Sequence, residues 1–348
     1  MVDERDEGEL AEWGARADAG LLAVLGVRRH LLRWRHAPSR SVIGRVLKIL
    51  DADALDAAVG AWLAQRHTAA NAAAGRGGRR VIAVDGKALR GSARLDQPRR
   101  HLLSAVTHGC PVTLAQTEVG PKTNETRHFQ PLLDPLDLEG DVITFDALHS
   151  VKANVAWLVE TKNAHYVAVI KPNQPTAWAQ LDSLDWNAVT VQHTASNKGH
   201  GRRESRSIKT LAIAGNLGGI AFPHAKLALR VHRRRKAAGA KESRETVYAV
   251  SSLDAHQATP AALASYLRGH WTVEAQHNIR DRAFTEDTST VHAGNAPRAM
   301  ATFRNLAIGA LKTRGATNIA KTTRAIRDQP ERALPVLGIT PEADLNGT

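Results

Sequence analysis

The chain has 348 residues, 43% of them hydrophobic and 23% charged, enough for a sizeable core and two or three structural units. Its 47 Lys and Arg against 34 Asp and Glu leave a net charge of +13, which favours polyanionic partners because neutralised phosphates release condensed counterions. A single cysteine, Cys110, excludes a disulfide framework and a thiolate-rich metal site. No apolar run approaches a membrane span, and the acidic start "MVDERDEGEL" is unlike a signal peptide. The expectation is a cytoplasmic protein that sits on nucleic acid and not on a membrane.

Residues 1–72 read as a small helical region. "GLLAVLGV" is one helix; a second begins after Pro38, capped by Ser39 or Ser41, and places Val42, Val46, Leu50, Leu55, Val59 and Trp62 at helical spacing. Such a pair is either a helix-turn-helix presenting Arg40 and Arg45 to DNA or a structural helical layer. The Gly/Ala/Arg stretch "NAAAGRGGRR", 71–80, is a linker.

From 79 to 187 the pattern changes. "RVIAV" is a strand ending on Asp85, and "HLLSAVTH" and "PVTLAQTEV" form a hairpin around Gly109-Cys110-Pro111. A polar loop leads to a short helix at Phe129 to Leu133. The strand "DVITF" ends on Asp146, a helix covers Val151 to Glu160, "HYVAVIK" is a strand and "TAWAQLDSL" a helix. This order, three strands followed by alternating helices and strands, predicts an α/β protein with a ribonuclease H-like mixed sheet. A lone Asp after a strand is ordinarily a turn or cap residue. In an open α/β sheet, however, sites form beyond the carboxyl ends of the strands, where Asp85 and Asp146 both fall.

Residues 188–253 keep a period of two in "AVTVQHT", "SRSIKTLAIAG", "AKLALRVHRRRK" and "ETVYAVSSL", a β-rich insertion with a cationic edge that includes Arg202 and Arg203. Residues 254–315 are helical, with helices at about Ala258 to Gly269, His270 to Ala283 and Pro297 to Lys312; 316–348 form a tail containing one more helix. In "YLRGHWTVEAQHNIRDRAFTEDTS", Glu274, His277 and Asp281 share one helical face, with His270 a turn earlier and Trp271 and Ile279 on other sides. The spacing is no zinc motif. Two strand-end Asp and a helix Glu suit a hard divalent ion, Mg²⁺ or Mn²⁺, and two such ions about 4 Å apart would serve an in-line phosphoryl displacement.

Six segments in order carry a family resemblance: "AVDGKALRGS", "KTNETRHFQPLLDPLDLEGDVITFDALHS", "HYVAVIKPNQP", "HGRRESR", "RGHWTVEAQHNIRDRAFTED" and "GNAPRAMATFRNLAIGAL". With them the chain resembles insertion-sequence transposases of the DDE class, specifically the ISAs-type group with its DDE-associated N-terminal region. The resemblance implies Asp85, Asp146 and Glu274 as catalytic, metal-holding carboxylates. It implies two Mg²⁺ or Mn²⁺ ions, cleavage at transposon ends, and attack of the freed 3′-hydroxyl on target DNA. Double-stranded DNA is then the partner, with a homodimer assembled on it. Lys87, Arg90, Lys122 and Lys171 are expected to contact DNA, as are Arg202, Arg203, Arg40 and Arg45. Supporting positions are His149, Asn173, His270, His277 and Asp281, and Asn124, Glu125 and Gln174 lie in the same motifs. Related transposases outside this group carry Tyr and Arg before the Glu and Lys after it, where this chain has Leu267, His270 and Asp281; His270-Trp271 is usual for the ISAs-type group. Gln276, Asn278 and Arg282 occupy positions that are more often apolar or aromatic, which predicts altered packing of that helix. The start, "GELAEWGA", resembles the middle of the associated region. A truncated copy that binds DNA without catalysis, or a related metal nuclease, is therefore the alternative expectation.

Overall fold

The computed structural model describes residues 5–29, 35–93, 98–120, 124–199, 201–213, 219–237, 239 and 241–339. The first core strand, β1 (Val81–Leu89), pairs antiparallel with β2 (Arg100–Thr107), which pairs antiparallel with β3 (Thr113–Val119). On its other edge β1 runs parallel to β4 (Val142–Phe145), and β4 runs parallel to β5 (His165–Ile170). This is the mixed ribonuclease H-like sheet expected from the element order. Residues 193–251 add β6 (His193–Gly199), β7 (Arg202–Ala212), β8 (Leu227–Ala237) and β9 (Ser243–Ser251). These do not form a sheet of their own: β9 pairs antiparallel with β5, giving one nine-stranded order β3-β2-β1-β4-β5-β9-β8-β7-β6. The first of them begins at His193, because 188–192, read as strand from its alternation, lies outside the ladder.

Helices α1 (Arg5–Arg16), α2 (Ala19–Val24), α3 (Arg40–Ile49) and α4 (Ala52–Ala73) precede the sheet. The stretch read as a single second helix is thus two. Asp51 breaks it: its Oδ1 accepts from the backbone N–H groups of Asp53 and Ala54 at 3.0 Å each and starts α4 as an N-cap. Ser39 does occupy the N-cap position of α3, but its hydroxyl pairs with Ser41 Oγ at 3.1 Å and not with the backbone. The apolar face of α3 is also rotated from the periodicity reading. Leu47 is buried against Ala296, Ala299 and Met300, whereas Val42 and Val46 are exposed.

The remaining helices are α5 (Phe129–Leu133), α6 (Lys152–Glu160), α7 (Pro175–Asp182), α8 (Pro260–Gly269), α9 (Thr272–Ala283), α10 (Ala296–Thr313), α11 (Ile319–Asp328) and α12 (Ala333–Leu337). Strand alternation divides the core between the two sheet faces. Ile82, Val84, Ile143 and Phe145 pack with Leu63 of α4, Phe129 and Leu133 of α5 and Val155 and Leu158 of α6. On the opposite face Val142 and Val167 pack with Leu263 of α8, and Ala83 and Val106 with Val273 of α9. The contact of α4 with the sheet depends on Gly60, where a Cβ would stand 2.2 Å from the Leu114 carbonyl oxygen. That α8/α9 face is the one the site uses.

Candidate active site

The β1–β4 ladder runs from Val81↔Val142 to Val84↔Phe145, so the next residues, Asp85 and Asp146, sit side by side one step beyond the last parallel rung. Asp85 is not a strand end, as the sequence suggested. Strand β1 continues to Leu89, held only by β2, with Asp85 opposite Ser104. Asp146 does end its strand. Its Oδ1 accepts from the backbone N–H of Leu148 at 2.9 Å and of His149 at 3.4 Å, so it shapes its own turn with one oxygen.

Alternation puts Ala83, Asp85 and Lys87 on one face of β1, and α9 lies across that face in register. Val273 meets Ala83, His277 Nδ1 lies 3.9 Å from Asp85 Oδ2, and Asp281 accepts from Lys87 Nζ at 2.7 and 2.9 Å. The stripe Glu274, His277, Asp281 therefore faces the sheet, with Glu274 at its exposed N-terminal end. Asp85, Asp146 and Glu274 together line a cavity of about 280 Å³.

The electrostatics of this cavity are those of crowded carboxylates. Burial pushes the Asp85 carboxyl up to about 6 against the backbone N–H of Gly86, and Asp146, Glu125 and Glu274 push it the same way. Glu125 behaves oppositely: pairing with His101 and His149 holds it down at about 2 despite burial. His277 and His270 are held neutral by burial, at about 3 and about 4. His270 Nδ1 lies 3.4 Å from Thr144 Oγ1, which also lies 2.9 Å from His108 Nε2.

Among the described residues no three His, Cys, Asp or Glu side chains stand close enough to close a cage around one ion. The donors nonetheless fit hard divalent cations: they are carboxylate oxygens, burial and their mutual repulsion raise Asp85, and no cysteine competes. Mg²⁺ in particular is held by one or two carboxylates, with waters and phosphate oxygens completing its shell.

The far wall of the cavity is mostly cationic, with Glu245 among its lining residues and Glu204 paired to Arg206 at 3.0 Å and Arg233 at 2.7 Å. Lys171 lines it just past β5, and Arg206 of β7, Arg233 of β8 and Arg268 of α8 lie across from it. The guanidinium carbons of Arg206 and Arg233 stand 5.7 and 5.1 Å from the Trp271 ring, which is 40% exposed. Arg202 and Arg203 sit exposed at the tip of the same ribbon, outside the cavity. The sequence places Arg206 and Arg233 in the basic tracts "HGRRESR" and "VHRRRK" of its cationic edge without singling them out. Their signal is the period of two in β7 and β8, where Arg206 precedes the core residue Ile208 and Arg233 follows Val231 on the same faces.

Other expected residues fall into three places. Asn173 Nδ2 donates to the Ala147 carbonyl at 3.3 Å and Gln174 Nε2 to Ser150 at 2.5 Å, so both brace the turn behind Asp146. Lys87 is buried, its ammonium committed to Asp281 with Asp287 at 3.6 Å and Glu286 at 3.8 Å. Arg90 is exposed, 3.6 Å from Asp287. Arg40 and Arg45 lie on α3, away from the cavity lining, and Lys122 is outside the described residues.

Beneath α9 runs a buried polar network. Gln276 Nε2 donates to Thr113 Oγ1 at 2.6 Å and Asn305 Oδ1 at 3.2 Å, and Asn305 donates to Gln116 at 2.9 Å. Gln116 in turn donates to Asp56 of α4 at 3.2 Å, where Arg298 also donates at 2.7 Å. Arg280, only 1% exposed, forks onto Glu286 with contacts of 2.7 to 3.1 Å. Gln276, expected to disturb packing, is thus held in the core through its Nε2, while its buried Oε1 has no hydrogen-bond partner among the described residues.

The transposase DDE domain family matches residues 76–309, two thirds of the chain, and that span holds all three cavity carboxylates. The chain belongs to this family. It is 27% identical over 293 residues to the "Putative transposase YncI" of Escherichia coli O157:H7, a match covering 79% of this chain and 71% of that protein. It is 30% identical over 247 residues to the "H repeat-associated putative transposase YhhI" of Escherichia coli K12, covering 66% and 64%. Against YhhI the DDE-domain chain therefore spans somewhat under two thirds of its relative's length. A solved piggyBac transposase synaptic complex with hairpin DNA aligns at a TM-score of 0.40 and 12% identity, over 77% of this chain and 59% of that one. Among the described residues of the DDE chain, no helix is long and apolar enough to cross a membrane.

Proposed function

We propose that the chain is a cytoplasmic DNA transposase of the ISAs-type group. It would cut at the ends of its own element and join the freed 3′-hydroxyl to target DNA. The observation that carries this reading is the convergence of Asp85, Asp146 and Glu274 on one cavity whose opposite wall is basic. The six ordered sequence motifs favour the group assignment.

Asp85, Asp146 and Glu274 would hold two Mg²⁺ or Mn²⁺ ions. When bound, such ions neutralise charge on the attacking and leaving oxygens of an in-line displacement. The protein's own share is positioning and electrostatics. Lys171, Arg206 and Arg233 would hold the phosphate backbone against the carboxylates, and the exposed Arg202 and Arg203 would continue that track along the ribbon. Residues 1–72, with Arg40 and Arg45, would supply DNA-end contacts. Residues 79–187 and 254–315 would form the catalytic core, 188–253 the DNA-facing extension and 316–348 the tail. Bringing two ends together calls for a homodimer on DNA.

The test is Mg²⁺-dependent cleavage of a labelled duplex carrying the element's ends, compared with random duplex and with D146N. End-specific nicking that falls by about 10²–10³-fold or more in D146N, with DNA binding retained, is the expected result. Equal cutting of both duplexes would instead indicate a sequence-tolerant nuclease. Binding without cutting in the unmodified chain would indicate a catalytically silent copy.

A further inference from the structure

The parallel ladder that aligns Asp85 with Asp146 stops one residue short of both, at Val84↔Phe145. Something other than backbone pairing must therefore fix the two carboxylates relative to each other. Glu125 stands at that gap. It lies on a 3-10 turn (Glu125–Arg127), with its carboxylate directly over the backbone of Gly86. A Cβ built on Gly86 would be 2.7 Å from both Glu125 oxygens and 2.5 Å from His101 Nε2. One oxygen, Oε1, is 2.7 Å from His101 Nε2 on β2; the other, Oε2, is 3.1 Å from His149 Nε2 on the turn that Asp146 begins. His149 is 1% exposed and stacks on Phe129 at 5.8 Å. Its Nδ1 has no hydrogen-bond partner among the described residues, so Glu125 is the polar group that orients this ring. The turn carrying Glu125 is itself tied to α6, where Asn154 Nδ2 donates to the Thr126 carbonyl at 3.0 Å.

We propose that Glu125 is a positioning residue for the metal site, a clamp that joins the strand carrying Asp85 to the turn carrying Asp146 through Gly86, His101 and His149. Glycine at 86 is then required because the clamp occupies the space of a side chain. This inference rests on the reading of Asp85 and Asp146 as metal-holding carboxylates. Groups that orient metal ligands without touching the ion change metal affinity by about 10–100-fold when removed.

The experiment is calorimetric titration of the metal-free, full-length protein with Mn²⁺, with a thermal melt of each variant. The Glu125 clamp predicts that E125Q, which keeps the side chain's shape, melts within a few degrees of the unmodified protein but binds Mn²⁺ about 10–100-fold more weakly. Saturating Mn²⁺ should restore DNA cleavage in E125Q and not in D146N. If E125Q folds poorly, H101Q at the rim of the clamp takes its place, with the same direction and a smaller factor. Unchanged Mn²⁺ affinity in the folded variant would overturn the clamp. Should D146N bind Mn²⁺ as the unmodified protein does, the metal reading fails instead, and the two failures are told apart.

Discussion

The two sides of the cavity are built by different physics. Asp85 and Asp146 sit one step past a parallel ladder whose apolar residues Ile82, Val84, Ile143 and Phe145 are buried, so the ladder and hydrophobic burial bring them to the cavity, though neither is itself paired across it. Glu274 arrives on α9, whose buried positions are Val273, Gln276 and Arg280. That helix is anchored by hydrogen bonds to Thr113 and Asn305 and by the Arg280–Glu286 fork. A hydrophobic contact tolerates a small loss, whereas a buried charge left without its partner does not. The helix half is therefore the brittle half of the site.

The largest effect expected from this contrast is on Arg280. Replacing it with Met removes the fork from Glu286, 3% exposed, and leaves it Arg304 at 3.3 Å and Lys87 at 3.8 Å among the described residues. Urea unfolding should show a loss of about 1.5–3 kcal/mol, the cost of the lost charged hydrogen bonds. The matching strand-side change, I143V in the buried ladder, should cost only about 0.5–1.5 kcal/mol. Equal losses would erase the distinction.

Acid should strike where the halves meet. His108 is held neutral by burial, at about 3, and His270 likewise at about 4, with Thr144 between them. Both lie below the ordinary value of 6.5, so between about pH 6.5 and 4 the unfolded chain binds protons that the folded one does not. The rings' contribution to stability is thus complete above pH 6.5 and falls as the pH drops, offset in part by Asp85, whose carboxyl, raised to about 6, takes up its proton in the folded chain first. Melting temperatures measured across this window should decline, and H108Q should flatten the decline. A decline that H108Q leaves as steep as before would contradict neutral rings.

The smallest effect concerns the turn that folds Glu286 back under Arg280. Thr285 there takes a left-handed backbone (φ 49°), which is strained for a β-branched residue. T285N should stabilise the protein by up to about 1 kcal/mol, read as a small rise in melting temperature. A loss would show that the Thr285 side chain contributes more than its strain costs.

The same contrast explains what the sequence disclosed. Strand-side residues were legible because β-forming runs ending at a carboxylate leave a local trace: "DVITF" stops at Asp146 as expected. Asp85 was legible as a position, but its place inside a longer strand was not, since only pairing with β2 carries β1 to Leu89. The helix side was obscured because the polar partners that make Gln276 and Arg280 core, Thr113, Asn305 and Glu286, lie 6 to 163 positions away and leave no periodic trace. Val42 and Val46 failed for the converse reason. Their periodicity was real, but α3 turns Leu47 toward α10 and leaves them exposed. Arg206 and Arg233 join the cavity only because β7 and β8 extend the core sheet over it.

The proposed function requires the three carboxylates to share divalent ions. Diffraction from crystals grown with Mn²⁺ and end DNA, recorded at the manganese edge, tests that directly. Anomalous peaks within about 2.0–2.3 Å of Asp85 and Asp146 oxygens, beside Glu274 and a DNA phosphate, are the predicted result. Fully bound DNA with manganese absent from that cavity, or seated elsewhere on the protein, would contradict it.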